Sequence, residues 1–344
     1  MKLVEIDELQ GGEILAKQIL TNDYQVLLGK GTVVKIEYIE KLRELDILSV
    51  YIEEFIDHAV LDENEILQEE VKEDCLSKVR NVLERHMYNK GDSFKRIEEA
   101  TNEIMGNILK DECVVKKVYE VKMRSLDVYE HSMSVCVLSI ITSLKLNISK
   151  EKIYEIGVAG LLHDLGLRYI TVDYDNKDIE SYSEKEKEEY KKHTIYGYSA
   201  LLKDEGVSEN VKKLVLFHHE RMDGSGYPLH SKNITMENQI LALCELFDEL
   251  LCGVGCVRMK VHEAVEYIKV QKNHGFDAEI VDALLQLAAV YPTGTRVMLS
   301  DGTMGVVVGQ NEGFPDRPKV KNKEGDILNL LEILNLVVVK VLDS

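Results

Sequence analysis

The stretch His218-His219-Glu220-Arg221-Met222-Asp223-Gly224-Ser225-Gly226-Tyr227-Pro228 leaves an apolar run and enters a loop with two glycines and a proline. Neighbouring residues on a helix point about 100° apart, so two adjacent imidazoles can face one point only at a helix end or a bend. The turn residues that follow predict such an end. Because imidazole is the commonest protein metal ligand, the pair indicates a metal site; the alternative is a surface pair before a turn.

Further candidate ligands lie in or beside apolar sequence before and after this stretch. They are Asp127, His131, His163, Asp164, His193 and Asp248. His163 and Asp164 stand between Leu161-Leu162 and Leu165-Gly166-Leu167, which predicts a buried carboxylate. Buried charge is costly unless it is paired or binds a metal. A single buried histidine is more often a core residue whose hydrogen bonds are all made. Since this explanation would have to hold separately for every member of the set, a shared metal site is the simpler hypothesis.

The size of the set favours more than one ion. Five histidines with one or two aspartates exceed what one tetrahedral zinc needs, and a bridging Asp164 between two ions would use them all. Mixed imidazole and carboxylate ligation suits iron, manganese or zinc without choosing among them. Two ions about 3.5–4 Å apart can clamp a phosphoryl oxygen and generate hydroxide at neutral pH. The chemistry predicted is phosphoester hydrolysis.

Composition excludes some partners. The net charge of -19 on 344 residues argues against binding a nucleic-acid polymer, but not against a small phosphorylated ligand held by metal ions. The amino terminus has no apolar core of signal-peptide length, and the longest apolar stretch, 240–257, is interrupted by three carboxylates, so no membrane segment is expected. Six cysteines show no disulfide-like clustering. We therefore expect a cytoplasmic protein.

Hydrophobic periodicity predicts a mainly α protein in four parts. The expected parts are a small α/β module over 1–57, a helical linker or partner-contact segment over 58–110, a helical bundle over 111–290 and a small β-rich tail domain over 291–344. In the first part we expect strands over 13–20, 25–28 and 49–52, a turn over 29–32, and a helix from Ile36. In the tail, two β-branched runs around Asp301-Gly302 predict a hairpin.

The order and spacing of the candidate ligands resemble a known family. His163-Asp164-Leu165-Gly166, His193-Thr194-Ile195-Tyr196-Gly197, the stretch from His218 to Pro228 and then Asp248 are similar to the HD-GYP family, a branch of the HD-domain metal-dependent phosphohydrolases. The resemblance covers about residues 115–290. It implies an HD-type helical bundle that cleaves cyclic di-GMP to pGpG, GMP or both by a metal-activated hydroxide.

The resemblance also implies roles for individual residues. The catalytic pair would be His163 and Asp164, with Asp164 bridging two ions of iron or manganese, or else zinc. The metal shell would be completed by His131, His193, His218, His219 and Asp248, and Asp127 would add a third ion. Gly226, Tyr227 and Pro228 would shape the rim near a guanine base, with Arg221 and Asp223 bracing the loop.

Two departures from the family pattern bear on the substrate. The family usually has a phosphate-binding lysine at the position of Leu167, and Arg168 is the candidate substitute. An Arg-Pro-Tyr-Arg-like run is replaced by the segment 252–260, in which Arg258 and Lys260 are expected to reach phosphate. The alternatives are therefore a catalytically weak cyclic-dinucleotide receptor that keeps its metals, or a hydrolase for another phosphoester such as a mixed cyclic dinucleotide. The helical segment before the bundle is compatible with a homodimer; the signalling partner is not indicated.

Overall fold

The computed structural model describes residues 2–20, 26–29, 32–45, 47–52, 67, 69–85, 93–110, 117–119, 126–202 and 204–342. The chain forms two compact units: an N-terminal one of Met1–Leu61 with Met123–Ser125, and a larger one of Asp62–Lys122 and Leu126–Ser344. Among the described residues, no helix is both long and apolar enough to cross a membrane.

The N-terminal unit has one helix among its described residues and two small antiparallel sheets. Its elements are β1 (Lys2–Glu5), β2 (Ile19–Leu20), β3 (Val26–Leu28), α1 (Ile36–Glu44) and β4 (Ser49–Ile52). β1 pairs with β4 and β2 with β3. The core is apolar, with Leu15, Val34 and Leu42 almost fully buried.

Several predictions for this unit can be compared with the structure. The helix from Ile36 and the strand over 49–52 are present. The strand predicted over 13–20 is wrong over most of its length: the chain bends at residues 16 and 17, leaving isolated bridges at Ile14 and Leu15 and a strand of two residues, Ile19–Leu20. Residue 25 of the next predicted strand and residues 30 and 31 of the predicted turn lie outside the described residues.

The larger unit is built mainly of helices. They are α2 (Glu69–Arg85), α3 (Ser93–Ile108), α4 (Val128–Lys145), α5 (Lys150–Leu162), α6 (Glu184–Lys191), α7 (His193–Leu201), α8 (Glu209–Phe217), α9 (Met236–Cys252), α10 (Val261–Val270) and α11 (Ala278–Leu285). Short 3-10 helices lie at His163–Tyr169 and Ile179–Ser181, and another lies at Ile6–Glu8 in the N-terminal unit. Side-chain caps begin many of them, as Thr235 does for α9. α9 ends at Cys252 and is capped by Gly253, whose φ of 87° a residue with a side chain rarely adopts.

The helices of the larger unit share one apolar core. α4 packs against α5 and α9, and these three helices supply most of its fully buried residues. The segment predicted as a linker joins the same core, because Val79 of α2 and Ile97 and Ile104 of α3 are fully buried there. The predicted boundaries near 57 and 111 fall on residues outside the described ranges, so the four-part division stays a prediction.

The carboxyl-terminal residues form a five-stranded antiparallel sheet in the order β8-β7-β6-β5-β9. Its strands are β5 (Arg296–Leu299), β6 (Met304–Gly309), β7 (Lys319–Asn322), β8 (Ile327–Asn329) and β9 (Val338–Val341). The hairpin around Asp301-Gly302 is present as β5 and β6, whereas β8 was not predicted. Val297, Val307 and Val320 form its buried face. A mainly α chain with a small β-rich tail is confirmed.

Candidate metal centre

Five elements of the larger unit bring buried polar side chains to one place. α8 ends at Phe217, so His218 and His219 directly follow a helix end, as predicted for two adjacent histidines that face one point. The 3-10 turn after α5 presents His163 and Asp164, and α7 begins with His193. α4 and α9 supply His131 and Asp248. All seven side chains are buried.

Hydrogen bonds at the outer ring nitrogens aim the imidazoles inward. The Nδ1 atoms of His163, His193 and His218 lie 2.8, 2.8 and 2.7 Å from the backbone carbonyl oxygens of Gly160, Tyr190 and Val215. A carbonyl oxygen only accepts, so each Nδ1 carries the proton and each Nε2 keeps a lone pair. This carbonyl-to-imidazole arrangement is typical of metal-ligating histidines.

The inward nitrogens approach one another closely. The Nε2 atoms of His193 and His218, of His193 and His219, and of His131 and His163 are each 3.1 Å apart. Lone pairs facing at this distance repel unless a proton or a cation lies between them. Burial and the neighbouring imidazoles hold the pKa values of His218 and His219 well below the ordinary range, and burial also lowers that of His193. These three rings are therefore neutral, which is the form that binds a metal ion.

Asp164 lies between two groups of histidines. Its Oδ2 is 3.3 Å from Nε2 of His163 and 3.5 Å from Nε2 of His131, and its Oδ1 is 3.8 Å from Nε2 of His193. Oδ2 is buried without a hydrogen-bond partner. Burial raises the pKa of this carboxyl, but the pairing with His163, whose own pKa is raised in turn by the carboxylate, more than offsets it and holds the pKa of Asp164 well below its usual range. An ionised carboxylate with one oxygen toward each group suits a bridge between two cations.

Asp248 lies behind His131. Its Oδ2 is 2.7 Å from Nδ1 of His131, and its Oδ1 accepts a hydrogen bond of 2.5 Å from Oγ of Ser134. Cys252 Sγ is 3.6 Å from the same Nδ1. Asp248 thus fixes the ring of His131, and His131, Asp248 and Cys252 form one of the residue groups close enough to share an ion.

Two buried carboxylates of α9 were missed by the sequence analysis. Glu245 and Glu249 lie beside His219, with which they form another group that could hold a cation. Burial raises the pKa of Glu245 well above its ordinary value and that of Glu249 to about 7. Their spacing of four residues in an apolar helix was the available signal, because it places both on one face.

The loop after His219 is held tightly against it. A Cβ on Gly226 would lie 2.3 Å from the carbonyl oxygen of His219, so only glycine fits here. Tyr227 stacks on His219 with ring centroids 4.5 Å apart. The buried Glu220 carboxylate accepts hydrogen bonds from the backbone N–H groups of Leu229 and Ser231, at 2.6 and 2.9 Å.

Other predicted residues of this loop have local contacts. Arg221 lies over the ring of Phe276 at 4.7 Å, and its guanidinium donates to the carbonyl of Glu220. Asp223 accepts hydrogen bonds from the backbone and hydroxyl of Ser225. These contacts are compatible with the predicted bracing of the loop, and the substrate-binding role of both residues stays a prediction. Pro228 follows Tyr227 at the half-buried rim.

Two predicted residues are directed elsewhere in the structure. Asp127 is the N-cap of α4, accepting from the backbone N–H groups of Tyr129 and Glu130, and its other oxygen is 3.6 Å from Arg80. Arg168 donates to the carbonyl oxygens of Leu83 and Glu84 at the end of α2. Asp127 is in none of the ligand groups found among the described residues.

The remaining predicted substrate contacts lie after α9. The backbone N–H of Arg258 donates to Asn176 Oδ1, and Lys260 is the N-cap of α10. Leu167 is buried in an apolar cluster with Ile179 and Val254. The phosphate contacts expected of Arg258 and Lys260 stay predictions.

Comparisons with known proteins agree with this fold. The model of the HD domain family matches residues 107–280. A protein named cyclic di-GMP phosphodiesterase from Pseudomonas aeruginosa is 29% identical over 226 residues, which are 65% of this chain and 54% of that protein. A second one so named, from Borreliella burgdorferi, is 23% identical over 205 residues, 58% of this chain and 53% of that protein. The chain thus spans about half the length of these relatives.

A solved structure supports the fold alone. The HDG"Y"P protein Bd1817 from Bdellovibrio bacteriovorus superposes with a TM-score of 0.56 at 17% identity, covering 83% of this chain and 98% of that one. Fold and site together define a helical domain built around buried histidines and carboxylates. The chain belongs to the HD domain family, and within it to the HD-GYP branch.

Proposed function

We propose that this chain is a metal-dependent phosphodiesterase that hydrolyses a cyclic dinucleotide, with cyclic di-GMP as substrate and pGpG, GMP or both as product. The observation that carries the proposal is the buried Asp164 carboxylate between two groups of inward-facing imidazoles, with one oxygen lacking any hydrogen-bond partner. The names of the two curated relatives favour the same substrate.

The donor set fits two divalent ions. His131 and His163 lie on one side of Asp164, and His193, His218 and His219 lie on the other. Nitrogen and carboxylate donors suit iron or manganese, and zinc as well. When bound, such ions supply Lewis acidity toward a phosphoryl oxygen and activate water at neutral pH.

The protein's own contribution is orientation and exclusion of water. Backbone carbonyls hold three imidazoles, and Asp248 holds the fourth, so little reorganisation accompanies ion binding. The stacked Tyr227 and the loop braced by Glu220 form a half-buried rim over His219. A flat aromatic rim of this kind suits a nucleobase.

The test is anaerobic purification with metal counting, followed by incubation with cyclic di-GMP and chromatography of the products. We expect at least two iron or manganese ions per chain and the appearance of pGpG or GMP. The double variant His163→Ala, Asp164→Ala should lose both metal and turnover, while His274→Ala, which removes an exposed histidine, should keep both. Protein without metal and without nucleotide binding would refute the proposal.

A receptor that binds the nucleotide without cleaving it is the second candidate. It is favoured by the environment of Leu167 and Arg168, because the first is buried in apolar contacts and the second is hydrogen-bonded to α2. Neither offers a cation to a phosphate at the centre. Bound metals, together with cyclic di-GMP or a mixed cyclic dinucleotide that binds and stays uncleaved, would establish the receptor. Leu167→Lys should not restore cleavage, since it would bury a charge in the apolar cluster.

A further inference from the structure

Lys191 places an ammonium group at the rim of the centre. It is the last residue of α6, two residues before His193, and its Nζ lies 5.5 Å from the centroid of the Tyr227 ring. The same ring stacks on His219 with centroids 4.5 Å apart and contacts His193 edge-on at 6.2 Å. One aromatic ring therefore contacts both this ammonium and two of the candidate metal ligands.

The backbone of Lys191 is fixed, whereas its ammonium is loosely held. The hydroxyl of Thr194, in the first turn of α7, donates to the carbonyl oxygen of Lys191 at 3.1 Å. The ammonium is 4.0 Å from the carboxylate of Glu180, which is 74% exposed and lies closer to Lys187, at 3.6 Å. Exposed ion pairs contribute little, so an anion at the rim can bind this ammonium without breaking a strong contact.

The described 3-10 helix that carries His163 and Asp164 offers no lysine or arginine to this rim. Leu167 is 3% exposed in its apolar cluster, and the guanidinium of Arg168 donates to backbone carbonyl oxygens at the end of α2. Lys191 approaches from a different element, the end of α6. Its side-chain stem is flexible and its ammonium has several N–H donors, which suits a phosphate oxygen.

A cyclic dinucleotide has two phosphodiesters on opposite sides of its ring, and only one of them can lie at the ions of the proposed function. The other is carried outward by the ring. The side chain of Lys191 is 38% exposed, whereas those of His193 and His219 are 0% and 5% exposed, so the ammonium lies on the solvent side of these ligands. The second phosphodiester is therefore expected on the side where Lys191 lies.

We propose that Lys191 binds the phosphodiester that is not cleaved, and thereby favours cyclic dinucleotides over ligands with a single phosphodiester. In this arrangement the ions hold one phosphodiester, and the ammonium donates a charge-assisted hydrogen bond to the other. The inference rests on the proposed function. It holds equally for an enzyme and for a receptor, because it concerns binding.

Binding of two phosphorothioate analogues tests this role. One is the analogue of cyclic di-GMP, and the other is that of GpG, which has a single phosphodiester. Affinities for both are measured by calorimetry on the manganese-loaded wild type, Lys191→Gln and Lys191→Arg, at low and at high salt. The matched control is Lys192→Gln, which removes the neighbouring charge from a side chain paired with Glu189 at 3.0 Å. Manganese is counted in every variant.

In Lys191→Gln we expect the affinity for the cyclic analogue to fall about tenfold or more, because one hydrogen bond between charged groups is lost. Affinity for the GpG analogue should stay close to that of the wild type, because the ions hold its phosphodiester. Lys191→Arg keeps the charge and should retain most of the affinity, and Lys192→Gln should bind both analogues as the wild type does. High salt should weaken binding of the cyclic analogue more in the wild type than in Lys191→Gln, because a partly exposed charge pair is screened.

Unchanged affinity of Lys191→Gln for the cyclic analogue would overturn the inference and leave the proposed function standing. Equal losses for the two analogues would overturn it as well, since Lys191 would then act on the phosphodiester at the ions or on the fold of the rim. Lost manganese in Lys191→Gln would also overturn it, by showing that the residue acts through His193. Wild-type protein that binds neither analogue would refute the proposed function together with this inference.

Discussion

Gly166→Ala tests how the two halves of the candidate centre are joined. Gly166 lies in the 3-10 turn that carries His163 and Asp164, and it packs against the start of α7. A Cβ at this position would lie 1.8 Å from the carbonyl oxygen of His193 and 2.7 Å from the backbone nitrogen of Gly197. Both atoms belong to the backbone, so a side-chain rotation cannot relieve the overlap.

The expected cost follows from that overlap. Ordinary overpacking costs about 1–3 kcal/mol, and a contact with helix backbone at this distance belongs at or above the upper end, about 3 kcal/mol. The turn and α7 must separate, which moves His193 away from Asp164. Because displaced support of a ligand typically weakens metal binding by roughly 10–100-fold, we expect a loss of that size in Mn²⁺ affinity.

Urea unfolding of the metal-free protein and Mn²⁺ calorimetry measure the two effects. The matched control is Gly106→Ala, on the exposed side of α3, where an added Cβ meets nothing within 4 Å. That variant should gain about 0.5–1 kcal/mol, as glycine-to-alanine changes in helices do. A Gly166→Ala protein within about 0.5 kcal/mol of the wild type, with unchanged Mn²⁺ affinity, would refute the packing argument.

Three further predictions concern single side chains. Burial raises the pKa of Glu249 to about 7, so the free energy of unfolding of the metal-free protein should fall as pH rises from about 5 to about 8. In urea unfolding, the Glu249→Gln variant should show a smaller fall over the same pH range. An equal fall in both proteins would contradict the raised pKa. Glu220→Gln should lower the free energy of unfolding by about 1–3 kcal/mol, because one of the two backbone N–H groups that donate to this carboxylate loses its acceptor. Urea unfolding followed by tyrosine fluorescence measures the change. An unchanged midpoint would show that these hydrogen bonds do not stabilise the loop. Arg168→Ala should lower the free energy of unfolding by about 1 kcal/mol, because its hydrogen bonds to the end of α2 are lost. Unchanged stability with a raised KM for cyclic di-GMP would support the phosphate-binding role predicted from the sequence.

Local sequence was informative where chemistry and chain geometry are local. Two adjacent histidines before Gly224 and Gly226 predicted a helix end, and α8 ends one residue before them. The Asp-Gly turn predicted the hairpin of β5 and β6. Apolar residues around His163 and Asp164 predicted their burial, and both are buried. The predicted role of each residue in metal binding stays a prediction that metal counting decides.

Sequence reasoning did not foresee the contacts of a side chain that had two compatible environments. Asp127 precedes His131 by four residues, a spacing that suits a shared helix face, but α4 begins at Val128 and makes Asp127 its cap. Arg168 follows the 3-10 turn in sequence, but α2, which lies more than eighty residues earlier, offers it free carbonyls at its carboxyl end. Which of two possible partners a side chain contacts depends on which distant segment of the chain packs beside it.

The sequence alone determined the inventory of donors, the helix end at His218 and the mainly α class, because residue type and periodicity are properties of neighbouring residues. The tertiary structure decided which ring nitrogens face inward, since that depends on carbonyls and carboxylates from several elements. It also brought Glu245 and Glu249 beside His219, although α9 and α8 are joined by a long loop. The sequence of an apolar helix does not indicate which neighbouring segment its carboxylates contact. The packing of α9 against the histidine-bearing segments decides this.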